Sequence, residues 1–265
     1  MTDLPRRLAA EGLGTGLLVA TVVGSGIMAA SFTHDVALAL LANALATGAM
    51  LVVLVTLLGP ISGAHLNPVV SMVLALRREL RPADAALYAA VQVASGVAGT
   101  VLAHAMFALP LVQVSERVRT GPSQWLAEGV ATFGLIAVIM CGTAFRRTAV
   151  PWLVGLYITA AYWFTSSTSF ANPAVTVARA LTNTFSGIRP ADVPAFVGAQ
   201  LVGALLALAL MSWLLVASRP AMAQIEGSPK GTEAPFAGRG QAIASNTESP
   251  AHAEPNAKTI VKTVL

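Results

Sequence analysis

Charge is scarce in this sequence. Only 11% of its 265 residues are Asp, Glu, Lys or Arg, whereas 55% are hydrophobic. The mean hydropathy is +0.72. Soluble domains contain about 25% charged residues, so this composition excludes an ordinary soluble protein and indicates an integral membrane protein.

Cysteine is nearly absent as well. Cys141 is the single cysteine, which excludes an intramolecular disulfide and gives no metal-ligand spacing. We interpret it as a small packing residue, with a reactive pore thiol as the alternative. The apolar segments also lack a paired nucleophile and base, so no enzyme activity, cofactor or metal site is predicted.

Six apolar segments are candidates for membrane spans. They cover residues 8–30, 36–58, 83–109, 125–145, 150–164 and 193–217. The fifth is shorter than the roughly 20 residues that a spanning helix needs, and the loop behind it can supply the missing length. Residues 218–265 are rich in Pro, Gly, Ser and Thr, so we predict a membrane domain over residues 1–217 and a disordered cytoplasmic tail after it.

The basic residues lie in small clusters between these segments, although the formal net charge is +4. This distribution indicates membrane topology rather than a nucleic-acid-binding face, so no nucleic-acid partner is predicted. With six spans, the larger group of arginines falls on one side and consists of Arg6, Arg7, Arg77, Arg78, Arg81, Arg146, Arg147 and Arg219. Arg117, Arg119 and Arg189 fall on the other side. Because positive residues favour the cytoplasmic side, both termini are expected in the cytoplasm.

Two of the connections contain an Asn-Pro dipeptide followed by a short apolar run. The second span is followed by Ser62-Gly63-Ala64-His65-Leu66-Asn67-Pro68-Val69, and the fifth by Ser169-Phe170-Ala171-Asn172-Pro173-Ala174-Val175. Asn is a favoured helix N-cap and Pro fits the first helical position. A helix of about ten residues covers roughly 15 Å, which is half of a ~30 Å hydrocarbon core. We therefore predict two half-helices that enter from opposite faces and meet at the membrane centre.

The chain also repeats itself. Ala10-Glu11-Gly12-Leu13-Gly14-Thr15 matches Ala127-Glu128-Gly129-Val130-Ala131-Thr132, and Gln92 corresponds to Gln200. The two halves, at about residues 8–109 and 125–217, each hold three spans and one half-helix, so they lie in opposite orientations. The predicted fold is an all-α membrane protein with six transmembrane helices and two re-entrant half-helices in an inverted repeat.

These motifs resemble those of the aquaporin and aquaglyceroporin family of water and small-solute channels, also called major intrinsic proteins. The resemblance rests on Glu-Gly-x-x-Thr in both halves, Ser-Gly-Ala-His-x-Asn-Pro, and the second Asn-Pro-Ala. It implies one pore per subunit, a homotetramer, and a location in the inner membrane of a bacterium. The expected partners are water, small neutral solutes and the lipid bilayer.

The pore prediction places the two Asn-Pro motifs at its centre. Each carboxamide of Asn67 and Asn172 can cap its half-helix and still offer an N–H to a solute without presenting a charge. The helix N-termini add positive partial charge, which opposes the passage of cations. The pore-lining backbone carbonyls are expected from Gly63, Ala64, His65, Thr168, Ser169 and Phe170. His65 has two open interpretations: a residue of the cytoplasmic constriction, as the resemblance suggests, or a pin for the loop.

Acids within the spans also have two interpretations. Glu11 and Glu128 either support proton coupling or accept hydrogen bonds from the re-entrant loops, and their matched positions in the repeat favour the second reading. Val69 replaces the Ala that the family usually has after the first Asn-Pro, and we expect it to adjust packing only.

The selectivity filter is where the sequence departs most from the family. The family places Arg three residues after the second motif Asn, and this chain has Val175. Arg179 is not expected to replace it, because four helical residues displace it by one turn, about 5.4 Å. Counting from the motifs adds Thr47 and Ser169 to the filter. On the fifth span, straight counting gives Ala160, whereas matching the helix from Gly155 gives Tyr162, which we adopt.

A ring of this kind has no charge and at most one aromatic group, so it should be wider than that of a strict water channel. The predicted function is a passive channel for water and for glycerol, urea or metalloid acids. The Val-for-Arg pattern resembles that of a bacterial branch associated with metalloid handling, which ranks arsenous and boric acid first. The alternatives are a secondary transporter, a strict water channel and a structural membrane protein.

Overall fold

The computed structural model describes residues 3–217, and the predicted tail lies outside the described residues. This part of the chain is helical and contains no β-strand. Its helices are α1 (Leu4–Phe32), α2 (Val36–Ser62), α3 (Pro68–Leu76), α4 (Pro82–Met106), α5 (Pro122–Phe145), α6 (Val150–Phe164), α7 (Pro173–Arg179) and α8 (Val193–Ala217). Short 3-10 turns, Arg147–Ala149 and Pro190–Asp192, lead directly into α6 and α8.

Five of the helices are long and apolar enough to cross a membrane, namely α1, α2, α4, α5 and α8 with the turn before it. Helix α6 occupies the predicted fifth span but has 15 residues. At 1.5 Å per residue it covers only about 22 Å, which is less than a full hydrocarbon core. The predicted all-α membrane fold with two additional half-helices is confirmed.

The half-helices begin where the Asn-Pro motifs predict. Asn67 caps α3 because its Oδ1 accepts the Val69 N–H at 3.0 Å. Asn172 caps α7 in the same way, with its Oδ1 3.0 Å from the Ala174 nitrogen. Helix α3 has nine residues and α7 has seven, so α7 ends two residues before the predicted position. Both are far too short to cross a bilayer alone.

Close backbone contacts join the long helices of each half. Helix α1 packs on α4, and α5 packs on α8 in the equivalent place. A Cβ atom added to Gly99 would lie 2.2 Å from the Gly16 carbonyl oxygen. A Cβ atom added to Gly203 would lie 2.1 Å from the Gly129 carbonyl oxygen. Only glycine permits this approach, which small residues provide in membrane helix pairs.

Candidate functional site: a cavity between the half-helices

A cavity of about 630 Å³ lies between α1, α2, α5 and α6 and reaches both half-helices. Most of the side chains in its wall are apolar: Leu18, Val22, Leu51, Val55, Leu135, Ile139, Val154 and Ile158. Polar groups come from the loops before α3 and α7 and from helical side chains such as Thr47, Tyr162 and Arg179. A wall of this composition leaves orientation and selection of a solute to those few polar groups.

The two motif asparagines line this cavity and bind each other's loops. The Asn67 Nδ2 donates to the Ala171 carbonyl at 2.7 Å, and the Asn172 Nδ2 donates to the Leu66 carbonyl at 2.8 Å. Each bond joins one half-helix tip to the residue that precedes the other tip. A carboxamide nitrogen has two N–H groups, so each keeps one donor for the cavity. The other motif residues, Pro68, Val69, Pro173 and Ala174, do not line it.

The loop backbones before the two asparagines repeat the same unusual conformation. In the first loop Gly63, Ala64 and Leu66 have positive φ, at 94°, 47° and 50°. The second loop has Thr168, Ser169 and Ala171 at 62°, 50° and 47°, which are the equivalent positions counted from the Asn. Side chains other than glycine rarely adopt this region, so strong external contacts must hold the loops. With these φ values, the successive carbonyl groups of each loop do not have the common direction that they would have in a helix.

Glu11 supplies those contacts for the first loop. Its carboxylate is fully buried and accepts the His65 N–H at 2.9 Å and the Leu66 N–H at 2.7 Å. It also accepts from the Ser62 hydroxyl at 2.7 Å and from the Gln92 Nε2 at 2.8 Å. Two of these four bonds fix loop backbone directly.

Glu128 supplies the equivalent hydrogen bonds for the second loop. It is fully buried and accepts the Phe170 N–H at 2.8 Å and the Ala171 N–H at 3.0 Å. The Gln200 Nε2 donates to it at 2.6 Å and lies 2.9 Å from the Thr176 hydroxyl of α7. The carboxylate thus joins the loop, the half-helix and α8 in one hydrogen-bond network.

The four predicted filter residues all lie in the cavity wall. Thr47, Tyr162, Ser169 and Val175 all line it, and the Thr47 hydroxyl lies 3.3 Å from the Tyr162 hydroxyl. Tyr162 is 3% exposed, whereas Ala160 is exposed and lies outside the cavity lining. The buried Ser169 hydroxyl has no hydrogen-bond partner within residues 3–217. A hydroxyl in this position can both donate to a solute and accept from it.

His65 lines the cavity and also contacts the framework. Its Nδ1 lies 3.0 Å from the Ser71 hydroxyl on α3, and its ring centroid lies 5.2 Å from that of Tyr88. The residue therefore has the position that either interpretation requires. Both roles for His65 remain predictions.

Arg179 lines the cavity too, although its Cα lies one helical turn beyond Val175. Its guanidinium carbon lies 3.4 Å from the ring centroid of Phe170, and its Nε donates to the Ser186 carbonyl. Side chains on a helix point back toward its N-terminus, so a long one recovers part of a turn. Counting along the backbone correctly gives the displacement of Arg179, but it does not give the reach of the side chain.

The family model for the major intrinsic protein matches residues 1–164 and 141–242. This chain belongs to the major intrinsic protein family. The family consists of membrane channels for water and small solutes such as glycerol, and this chain is a multi-pass membrane channel of that kind.

Individual members of the family support the assignment. Aquaglyceroporin AqpS of Rhizobium meliloti (strain 1021) is 67% identical over 222 residues, which cover 84% of this chain and 95% of that protein. Aquaporin-5 of Homo sapiens is 30% identical over 240 residues, which cover 85% of this chain and 87% of that protein. The X-ray structure of the aquaglyceroporin from Plasmodium falciparum matches with a TM-score of 0.60 and 20% identity, over 78% of this chain and 94% of that one. The last match concerns the fold.

Two hydroxyl residues that support the loops of this major intrinsic protein were not predicted from its sequence. Ser71 and Thr176 each stand four residues after a motif Asn, and their hydroxyls meet Gln92 and Gln200. Their equal spacing from the two asparagines was a usable signal. Arg179 lies on the same helical face as Val175, which is consistent with its place in the cavity lining.

Proposed function

We propose that this channel conducts water together with uncharged solutes of glycerol size, and that trihydroxy metalloid acids such as arsenous and boric acid are the first candidates. Arsenous and boric acid present hydroxyl groups as glycerol does. The identity to a protein named as an aquaglyceroporin supports a pore that passes more than water.

The observation that carries the proposal is Val175 in the cavity lining. It stands three residues after Asn172 and lines the same cavity as Thr47, Tyr162 and Ser169. A Val side chain is shorter than Arg and contributes no donor, so it leaves room for a solute with several hydroxyl groups. Pore width and the donors in the wall set selectivity in channels of this type.

The assembly and orientation are part of the same proposal. We expect a homotetramer with one pore per subunit, in the inner membrane of a bacterium, with both termini in the cytoplasm. The supporting observation is the apolar outer surface of the described helices, where large side chains such as Leu57, Leu126, Trp152 and Leu206 are exposed. Lipid and neighbouring subunits would cover these side chains.

The proposal is tested by stopped-flow light scattering on proteoliposomes with water, glycerol, urea and arsenous acid. Val175→Arg should lower solute entry at least about tenfold and water flux much less, because it narrows the ring and adds a fixed donor. Val175→Met is the matched control, since it adds length without charge. It separates the effect of width from that of charge.

Two results would contradict the proposal. Wild-type vesicles that pass water but exclude glycerol and arsenous acid would make the protein a strict water channel. Solute uptake that saturates at low concentration and follows a proton gradient would instead indicate a secondary transporter. Equal loss of water and solute flux in Val175→Arg would place the filter elsewhere.

A further inference from the structure

Arg179 is a buried cation in the wall of a membrane pore. It is 2% exposed and lines the cavity. Among residues 3–217 it forms no salt bridge with a carboxylate. An unpaired buried charge is costly, and ionisable groups at membrane depth mark functional positions.

The guanidinium is held firmly but is not saturated with hydrogen bonds. The ring of Phe170 and the carbonyl of Ser186 fix its plane. A guanidinium has five N–H donors, and the Nη1 of Arg179 is buried without a partner within the described residues. Spare donors therefore remain on a cation that borders the cavity.

The position of Phe170 sets the level of this cation along the pore. Phe170 lines the cavity and directly follows Ser169 of the filter, and its N–H is bound by Glu128. Arg179 stacks on this ring, so its guanidinium contacts the residue that follows Ser169, although its Cα lies one turn beyond Val175. The side chain points back toward the N-terminus of α7 and makes up for part of the one-turn displacement of its Cα.

A second arginine strengthens the positive field. The Arg119 guanidinium carbon lies 5.0 Å from the centroid of Phe170, and the side chain donates to the carbonyls of Gly187 at 2.8 Å and Ser167 at 3.2 Å. Burial, with the nearby Arg117 charge second, lowers the pKa of Arg119 to about 10, so the group stays protonated at neutral pH. Arg119 does not line the cavity, and it acts as support.

Glu128 and Asp192 are the acids near this pair. Both oxygens of Glu128 accept hydrogen bonds from loop backbone, and Asp192 accepts from the Arg119 backbone N–H at 2.8 Å and pairs with Arg189 at 2.7 Å. With Asp192 paired, two guanidinium groups remain for the one carboxylate of Glu128. The filter region has a net positive charge even though the usual filter position is Val175.

We propose that Arg179 supplies the cationic donor of this pore's filter from one turn beyond the usual position. It repels protons and metal cations and offers N–H groups to the oxygens of passing neutral solutes. Val175 then provides width, and Arg179 provides the charge barrier, so the two properties are separated along α7. This inference rests on the proposed pore assignment.

The test uses full-length protein in vesicles with a trapped pH dye, and an inside-negative potential set by potassium and valinomycin drives protons inward. Arg179→Met should raise proton influx at least about tenfold, because it removes a unit charge from a narrow, weakly polarisable passage. Arg179→Lys keeps the charge and should stay near wild type. Arg146→Met removes an exposed cation outside the cavity lining and away from this pair, and it should change nothing.

Water flux of the same vesicles shows that the variant pore is folded and open. Proton influx equal to wild type in a water-conducting Arg179→Met would overturn the inference, as would an equal rise in Arg146→Met. The double variant Arg179→Met with Val175→Arg should restore the barrier, since it returns the charge to the usual position.

Val175→Arg alone gives an answer even where Arg179→Met fails to fold. If Arg179 already forms the barrier, this variant leaves proton influx near wild type. A fall of about tenfold or more would show that the wild-type filter lacks a cationic barrier, against the inference. Glycerol flux is recorded separately, so wild-type vesicles that exclude glycerol would refute the proposed function and leave the proton comparison intact.

Discussion

Replacement of Glu128 by Gln tests whether the buried acids hold the re-entrant loops. The carboxylate accepts from Phe170 and Ala171 backbone and from Gln200. An amide has a single acceptor oxygen, so its NH₂ group must face one of these donors. The loop that carries Ser169 would then lose part of its attachment.

The expected magnitude follows from the donors that lose their acceptor. Gln200 can rotate its amide to accept from the introduced NH₂, because its own Oε1 has no partner within residues 3–217. A backbone N–H has no such alternative, so that of Ala171 or that of Phe170, depending on how the amide is turned, stays buried and unpaired. An unsatisfied buried donor costs about 1–3 kcal/mol. For a chain of this size that lowers Tm by about 2–12 °C.

Thermal unfolding of purified protein in detergent measures the loss, and solute flux in vesicles reports the loop. We expect Glu128→Gln to lower both Tm and solute flux, and Glu11→Gln to do the same because Glu11 accepts four hydrogen bonds. The exposed Glu116 is the control, and Glu116→Gln should leave both unchanged. Unchanged stability of Glu128→Gln, together with flux that no longer responds to a proton gradient, would refute the loop role and favour proton coupling.

Two further substitutions test the packing and the half-helix tips. Gly203→Ala should cost about 1–3 kcal/mol by overpacking, since its Cβ would meet the Gly129 carbonyl oxygen at 2.1 Å. A lower apparent Tm than for Gly198→Ala, where a Cβ meets nothing within 4 Å, is the expected result, and equal values would contradict it. Asn172→Asp keeps a cap for α7 but removes the donor to the Leu66 carbonyl and adds a negative charge, so cation flux should rise and glycerol flux should fall. Cation flux equal to wild type in folded protein would argue against a role of Asn172 in excluding cations.

The fold was largely predictable because membrane burial leaves strong signals in the sequence. Hydrophobic runs gave α6 and α8 with the bounds that the structure has, and the Asn-Pro motifs gave the starts of α3 and α7. Helix α1 extends four residues before the predicted span, since the Asp3 cap and Pro5 at its start were not used. These signals are local in the sequence, so they can be read in each half of an inverted repeat separately.

The filter was harder, because its residues come from separate elements. Two ways of counting along α6 gave Ala160 and Tyr162, and only packing against α2 distinguishes them. Tyr162 faces Thr47 across 3.3 Å, while Ala160 lies on the exposed side. Side-chain reach was likewise invisible in the sequence, so Arg179 was judged by its Cα position alone.

The repeat explains why the two loops share a shape, and departures from the repeat explain why they can differ in chemistry. Two residues before each motif Asn stand His65 and Phe170, and their rings pack at 5.2 Å and 5.3 Å on the aromatic rings of Tyr88 and Phe196.

The framework around these two positions is equivalent, since Glu11 and Glu128 bind both loops in the same way. The side chains are not equivalent. His65 has an imidazole, whereas the ring of Phe170 stacks against the guanidinium of Arg179. A symmetric backbone therefore presents a hydrogen-bonding group at one loop and a cation at the other, and we expect selectivity to depend on the residues that break the repeat.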